Sequence, residues 1–129
     1  LGKAAQLCHL QMQEEALRIK KLRDKLENAL LNTGGITVNG DTEHRLPNVT
    51  NLSFNNIKGN QLLTAITKTI AVSSGSACTS ANPEPSHVLK AMGVADESAK
   101  NSIRFGLGRF TTEEEINFAI KEVSRIVNE

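Results

Sequence analysis

Two thiols, Cys8 and Cys78, are the strongest nucleophiles in this 129-residue chain, and their neighbours differ. Cys8 falls in a run of apolar residues at helical spacing, where a free cysteine is read as an inert, buried filler. Cys78 sits between Gly75, Ser76, Ala77, Thr79 and Ser80, none large enough to bury a thiol or wall it off from solvent. A thiol near its reference pKa of about 8.5 is only a few per cent ionised at pH 7, yet it is a strong nucleophile without further activation. Around it, Ser73 to Ser86 reads SSGSACTSANPEPS, a loop of small and polar residues with Gly and Pro. Its lack of large apolar residues leaves little to offset an ordering cost of about 1–2 kcal/mol per residue. The loop is therefore expected to move, which would let a sulfur react in one place and be unloaded in another. On these grounds alone, a reactive nucleophile and an ordinary surface cysteine are both open readings of Cys78.

Few other side chains compete. Arg104 lies in Ser102-Ile103-Arg104-Phe105-Gly106-Leu107, whose alternation puts it on the strand face opposite Ile103 and Phe105. By itself such an arginine is read as the partner of a nearby acid. His87 opens a helix and is read as a surface residue, and Lys90 and Lys100 as solvated charges. Cys8 and Cys78 are far apart and form no CxxC, so neither a disulfide framework nor a zinc site is indicated.

The elements that must position these residues follow from periodicity. Cys8, Met12, Ala16, Ile19, Leu22, Leu26 and Leu30 recur every three or four residues, predicting a long amphipathic helix that Gly34-Gly35 stops. No capping residue precedes it, which is read as continuation from an upstream segment. Ile36-Thr37-Val38 reads as a short strand, Asn39-Gly40-Asp41 as a turn, and Asn48 to Phe54 as a second strand. Leu62, Leu63, Ile66 and Ile70 after Gly59 predict a helix of two or three turns, and Ala71-Val72-Ser73 a further strand. Beyond the loop, Ser86 to Met92 is helical in spacing with Gly93 as its stop, and Asp96 is placed as the cap of another short helix. Strand 102–107 follows, and Thr112-Glu113-Glu114-Glu115 is a capping box opening a last helix through Val127. The fold class is mixed α and β: a small sheet with helices packed on it.

Composition narrows the function. With 39% hydrophobic and 22% charged residues the composition is globular, so a soluble fold is expected and neither disorder nor a membrane protein is indicated. A net charge of +1, with four Phe and no Trp or Tyr, offers neither a basic field nor a stacking platform for nucleic acid. No signal peptide is visible, so a cytoplasmic setting is expected, with an organellar one left open.

Two runs carry a resemblance. Ser73 to Ser80, followed by Glu84-Pro85-Ser86-His87-Val88-Leu89-Lys90-Ala91-Met92-Gly93, closely resembles the active-site loop of NifS/IscS-type cysteine desulfurases. Ser102-Ile103-Arg104-Phe105-Gly106-Leu107-Gly108-Arg109-Phe110-Thr111-Thr112 resembles the family's following strand and turn. Asn39-Gly40-Asp41 and Pro47-Asn48-Val49 also match in order, so the likeness spans the chain.

The resemblance implies the small C-terminal domain of a fold-type I pyridoxal phosphate (PLP) transferase, three or four strands with helices on one side, over residues 33–129 with active-site loop 73–86. Residues 1–32 would be the helix linking it to the large domain. In that family the cofactor activates free L-cysteine, and the loop cysteine takes its sulfur, leaving alanine and an enzyme persulfide. Cys78 maps onto that catalytic cysteine and could also ligate iron transiently with a scaffold protein. Arg104 maps onto the arginine that holds the substrate carboxylate, for which a planar guanidinium is suited; Arg109 is assigned to structure. The family's cofactor lysine follows a histidine, and no His-Lys pair occurs here, so no PLP-binding residue is assigned to this chain. Implied partners are L-cysteine, a sulfur acceptor or iron–sulfur scaffold, and a second copy in the full-length homodimer. A non-enzymatic persulfide carrier and a thiol-redox protein are the competing functions.

Overall fold

In the computed structural model, which describes residues 1–57, 59–74 and 85–128, the sheet is built from three short strands, each with one apolar face. β1 (Ile36–Val38), β2 (Val49–Phe54) and β3 (Ser102–Gly106) lie in that order, both pairings antiparallel. The register sets Ile36 opposite Phe54, Leu52 opposite Ile103, and Thr50 opposite Phe105. Side chains alternate along a strand, so these residues share one face and Asn51, Ser53, Ser102 and Arg104 share the other. A single antiparallel bridge between Ser73 and Arg104 is all that forms where a strand over Ala71 to Ser73 was expected.

Three helices cover the apolar face. α1 (Gly2–Leu31) contributes Ile19, Leu26 and Leu30, α2 (Gly59–Ile66) contributes Leu62 and Ile66, and α5 (Glu113–Asn128) contributes Ile116, Ala119 and Val123. At about 1.5 Å per residue α1 is roughly 45 Å long, and only its second half meets this core. The first half is exposed, Cys8 included, which corrects its assignment as a buried core thiol. Periodicity gave the stripe but not which turns have something to pack against. α1 ends in a turn at Gly34 and Gly35 with φ of +83° and +69°, a region other residues enter at a cost. At Gly35 a Cβ would also lie 2.2 Å from the Asn56 side-chain nitrogen.

The helices are not confined to one side, another correction. α4 (Asp96–Lys100) packs on the polar face, where the backbone carbonyl of Ser98 accepts hydrogen bonds from Ser53 (3.1 Å) and Ser102 (2.7 Å), and α3 (His87–Ala91) packs against α4. Ser86 caps α3 through Leu89 N–H, whereas α4 is preceded by Ala95, so Asp96 stands in its first turn instead of capping it. There its charge still complements the helix dipole. α2 stops at Ile66, short of Ile70, and the Thr67 hydroxyl donates back to the Leu63 carbonyl at 2.8 Å. Such a bond competes with helix propagation. The capping box forms as expected: Glu115 N–H donates to Thr112 Oγ1 and Thr112 N–H to the Glu115 carboxylate.

A buried ionic clamp joins α1 to β2 and the loop before it. Glu27 accepts two 2.7 Å bonds from the Arg45 guanidinium and one of 2.5 Å from Thr50 Oγ1. Arg23, only 2% exposed, donates to Asp24 at 2.7 Å and towards the Leu46 and Val49 carbonyls. Thr50 lies on the apolar face, so its hydroxyl would be orphaned without Glu27.

Candidate functional site

Arg104 occupies the middle of β3 and points away from the core, exposed, on the polar face. Among the described residues its guanidinium has no hydrogen-bond or ion-pair partner, so the acid expected of an ordinary strand arginine is not found there. Its backbone is held on both sides. β2 pairs along one edge, and on the other Arg104 N–H donates to the Ser73 carbonyl at 2.7 Å while Ser73 N–H donates to the Arg104 carbonyl at 3.2 Å. Ser73 opens the segment that contains Cys78; Cys78 itself lies outside the described residues. The far end of that segment is fixed by Ser86 at the start of α3.

Beside Arg104 the polar face is organised by hydrogen bonds. The Asn39 side-chain nitrogen shares its two hydrogens among Asn51 Oδ1 (2.7 Å), Ser53 Oγ (2.8 Å) and Ser102 Oγ (3.0 Å). Ser53 and Ser102 are 0% and 2% exposed, so their hydroxyls must be satisfied internally; Ser102 donates to the Ser98 carbonyl, and the Ser53 hydroxyl lies within reach of both that carbonyl and Ser102 Oγ (2.8 Å). This network makes the neighbourhood of Arg104 rigid and polar. Sequence reasoning placed Asn39 in a turn and missed its role. The available signal was the polar set Asn51, Ser53, Ser102 and Arg104 at alternate positions of two strands.

The remaining candidates stay apart from this face. Arg109 pairs with Glu15 of α1 through Nε at 2.6 Å and Nη2 at 3.0 Å, and Arg18 donates to the carbonyls of Arg109 and Thr111. The turn after β3 is thereby strapped to α1, a structural role. His87 is exposed at the first position of α3, and Lys90 pairs with Asp96. A groove of about 580 Å³ lies between residues 69–72, the end of β3 and α5, lined by Ile70, Val72, Phe105, Leu107 and Phe118. Phe105 is on the core face, so the groove opens on the side of the sheet away from the Arg104 side chain.

A cofactor lysine is the next requirement to test. Every described lysine is exposed, and Lys20, Lys25 and Lys90 are ion-paired with Asp24, Glu113 and Asp96. These lysines do not fit the role of holding PLP. No group of three or more His, Cys, Asp or Glu side chains among the described residues could hold a metal ion. Nor is any described helix long and apolar enough to cross a membrane.

Comparison with known proteins matches this architecture to one family. Residues 1–118 match the family model described as Aminotransferase class-V. Over 122 residues the chain is 52% identical to the cysteine desulfurase IscS of Anaeromyxobacter sp. (strain K), covering 94% of this chain and 30% of that protein. It is 50% identical over 128 residues to the cysteine desulfurase IscS of Shewanella sp. (strain ANA-3), covering 99% and 31%. Among solved structures, a NifS-like protein from Rickettsia africae ESF-5 superposes with a TM-score of 0.82 at 32% identity, covering 99% of this chain and 33% of that one. Another, named NIFS-LIKE PROTEIN, gives 0.82 at 31% identity, covering 98% and 32%. The chain thus spans about a third of the length of the relatives it matches, and it belongs to the aminotransferase class-V family.

Proposed function

We propose that this chain is the sulfur-accepting part of a cysteine desulfurase, with Cys78 as the nucleophile and Arg104 as the clamp for the substrate carboxylate. The observation that carries the reading is the Ser73–Arg104 bridge. It anchors the Cys78 segment to the backbone of an arginine whose guanidinium is exposed and unpartnered among the described residues. Cys78 is five residue steps along the chain from Ser73, a reach of at most about 18 Å between their Cα atoms. A carboxylate bound by Arg104 would therefore place the rest of a cysteine molecule within the loop's range.

In the proposed reaction the Cys78 thiolate attacks the sulfur of L-cysteine. The substrate's carbon–sulfur bond breaks, a sulfur–sulfur bond forms on Cys78, and the substrate carbon is protonated, giving L-alanine. One sulfur atom moves and no external oxidant is consumed. PLP, the electron sink such a cleavage calls for, would be held by the part of the protein outside this chain. The division at residues 32 and 33, with a linking helix before and a small domain after, belongs to the same proposal.

The persulfide would pass to an acceptor thiol or an iron–sulfur scaffold, in a cytoplasmic homodimer of the full-length protein. Identities of about 50% to proteins named cysteine desulfurase IscS support this reading over a carrier or redox module. The full-length protein carrying Cys78→Ser should lose sulfur transfer to a thiol acceptor while keeping the absorbance of bound PLP. Full transfer by that variant would refute the assignment.

A further inference from the structure

Asn51 stands where a second ligand for the substrate carboxylate would be built. It lies directly opposite Arg104 across the β2–β3 pair, on the same polar face. The hydrogen-bonding pattern makes the pair a close one. Leu107 N–H donates to the Asn48 carbonyl, so the bonded pairs are at Asn48, Thr50 and Leu52, and Asn51–Arg104 is a non-bonded pair. In such pairs the Cα atoms approach to about 4.5 Å and the side chains rise side by side.

The orientation of the Asn51 amide is set from the other edge. Asn51 is paired with the end of β1, where its carbonyl accepts from Asn39 N–H at 2.9 Å and its Oδ1 accepts from Asn39 Nδ2 at 2.7 Å. Asn39 is itself locked by Ser53 and Ser102. An amide is planar with oxygen and nitrogen on opposite branches, so an oxygen held on the β1 side carries its NH₂ group on the β3 side, that of Arg104. Neither hydrogen of that group has a partner among the described residues. An amide donor next to a guanidinium with no partner among the described residues makes a surface that accepts an anion with two oxygens.

We infer that Asn51 is a substrate-binding residue, donating its amide N–H to the carboxylate that Arg104 holds, with Asn39 positioning it. This rests on the reading of Arg104 as the carboxylate clamp. Asn51→Asp is the sharpest variant, because it keeps the oxygen that Asn39 holds and replaces the donor with an anionic acceptor. That anion would pair with Arg104 and repel a substrate carboxylate.

The test uses the full-length enzyme with PLP and two non-reacting inhibitors, S-methyl-L-cysteine and its methyl ester, which differ in having and lacking a free carboxylate. Asn51→Asp should raise the inhibition constant of the acid roughly tenfold or more, the scale of a hydrogen bond to a charged group, and that of the ester far less. Arg104→Ala, measured beside it, should show the same preference for harming the acid. If Arg104→Ala discriminates acid from ester and Asn51→Asp does not, Asn51 has no part in binding and the inference falls alone. If Arg104→Ala weakens both inhibitors equally, the clamp reading falls and takes the inference with it. An equal loss for both inhibitors in Asn51→Asp would make Asn51 merely structural.

Discussion

At the scale of single residues, the contrast is between two arginines of one motif. Arg109 is consumed by Glu15, while Arg104 keeps its guanidinium available on a face floored by satisfied asparagine and serine side chains. Removing Arg104 should therefore affect substrate more than fold. In the full-length enzyme Arg104→Ala is expected to raise KM for cysteine, with a loss of about 2–5 kcal/mol in binding, and to leave the melting temperature near that of the parent. An unchanged KM with a collapsed melting temperature would make Arg104 structural. Its outward direction was legible from alternation in Ser102 to Leu107. The network beside it was not, because Asn39 and Ser98 reach the sheet from a strand end and a helix that sequence spacing does not place together.

At the scale of elements, the clamp between α1 and β2 is where charge matters most. Burial would by itself push the Glu27 carboxyl up, but the hydrogen bonds from Arg45 and Thr50 and the charges of Arg45 and Arg23 outweigh it and hold the group below its ordinary value. The same pairing raises Arg45. A carboxyl depressed in the folded state stabilises fully above its unfolded pKa, about 4.3, and the contribution fades as pH falls through the lower folded value. Glu27→Gln, which imitates the protonated acid, should thus lower the melting temperature at pH 7, and the gap from the parent should narrow below about pH 4. A gap independent of pH would contradict the clamp's ionic character. Leaving Arg45 and Thr50 without any partner, as in Glu27→Ala, is expected to cost about 3 kcal/mol, measured by chemical unfolding. Sequence periodicity gave α1 its length and its glycine stop. It did not reveal that Arg23 and Glu27 enter the buried stripe, since charged residues between apolar ones look like a solvated face.

At the scale of the whole molecule, the core formed by α1, α2, α5 and the sheet uses apolar residues from both ends of the chain, Ile19 and Val123 among them. The chain is therefore expected to fold by itself, with at most weak self-association in sedimentation; a concentration-independent dimer would contradict that. With no lysine that fits the cofactor role among the described residues, the isolated chain should release no alanine from cysteine and added PLP, and detectable alanine would overturn this view. The fold class was readable because most elements announced themselves by period, and several by Gly, Ser or Thr at one end. The placement of α4 on the polar face was not, because it depends on hydroxyl contacts at Ser53 and Ser102 that periodicity does not encode. The most direct test of the central claim is mass spectrometry of the full-length enzyme after turnover with L-cysteine in the absence of an acceptor. One added sulfur on the peptide containing Cys78, and none on that containing Cys8, is the predicted result; sulfur on Cys8 instead, or on neither, would contradict it.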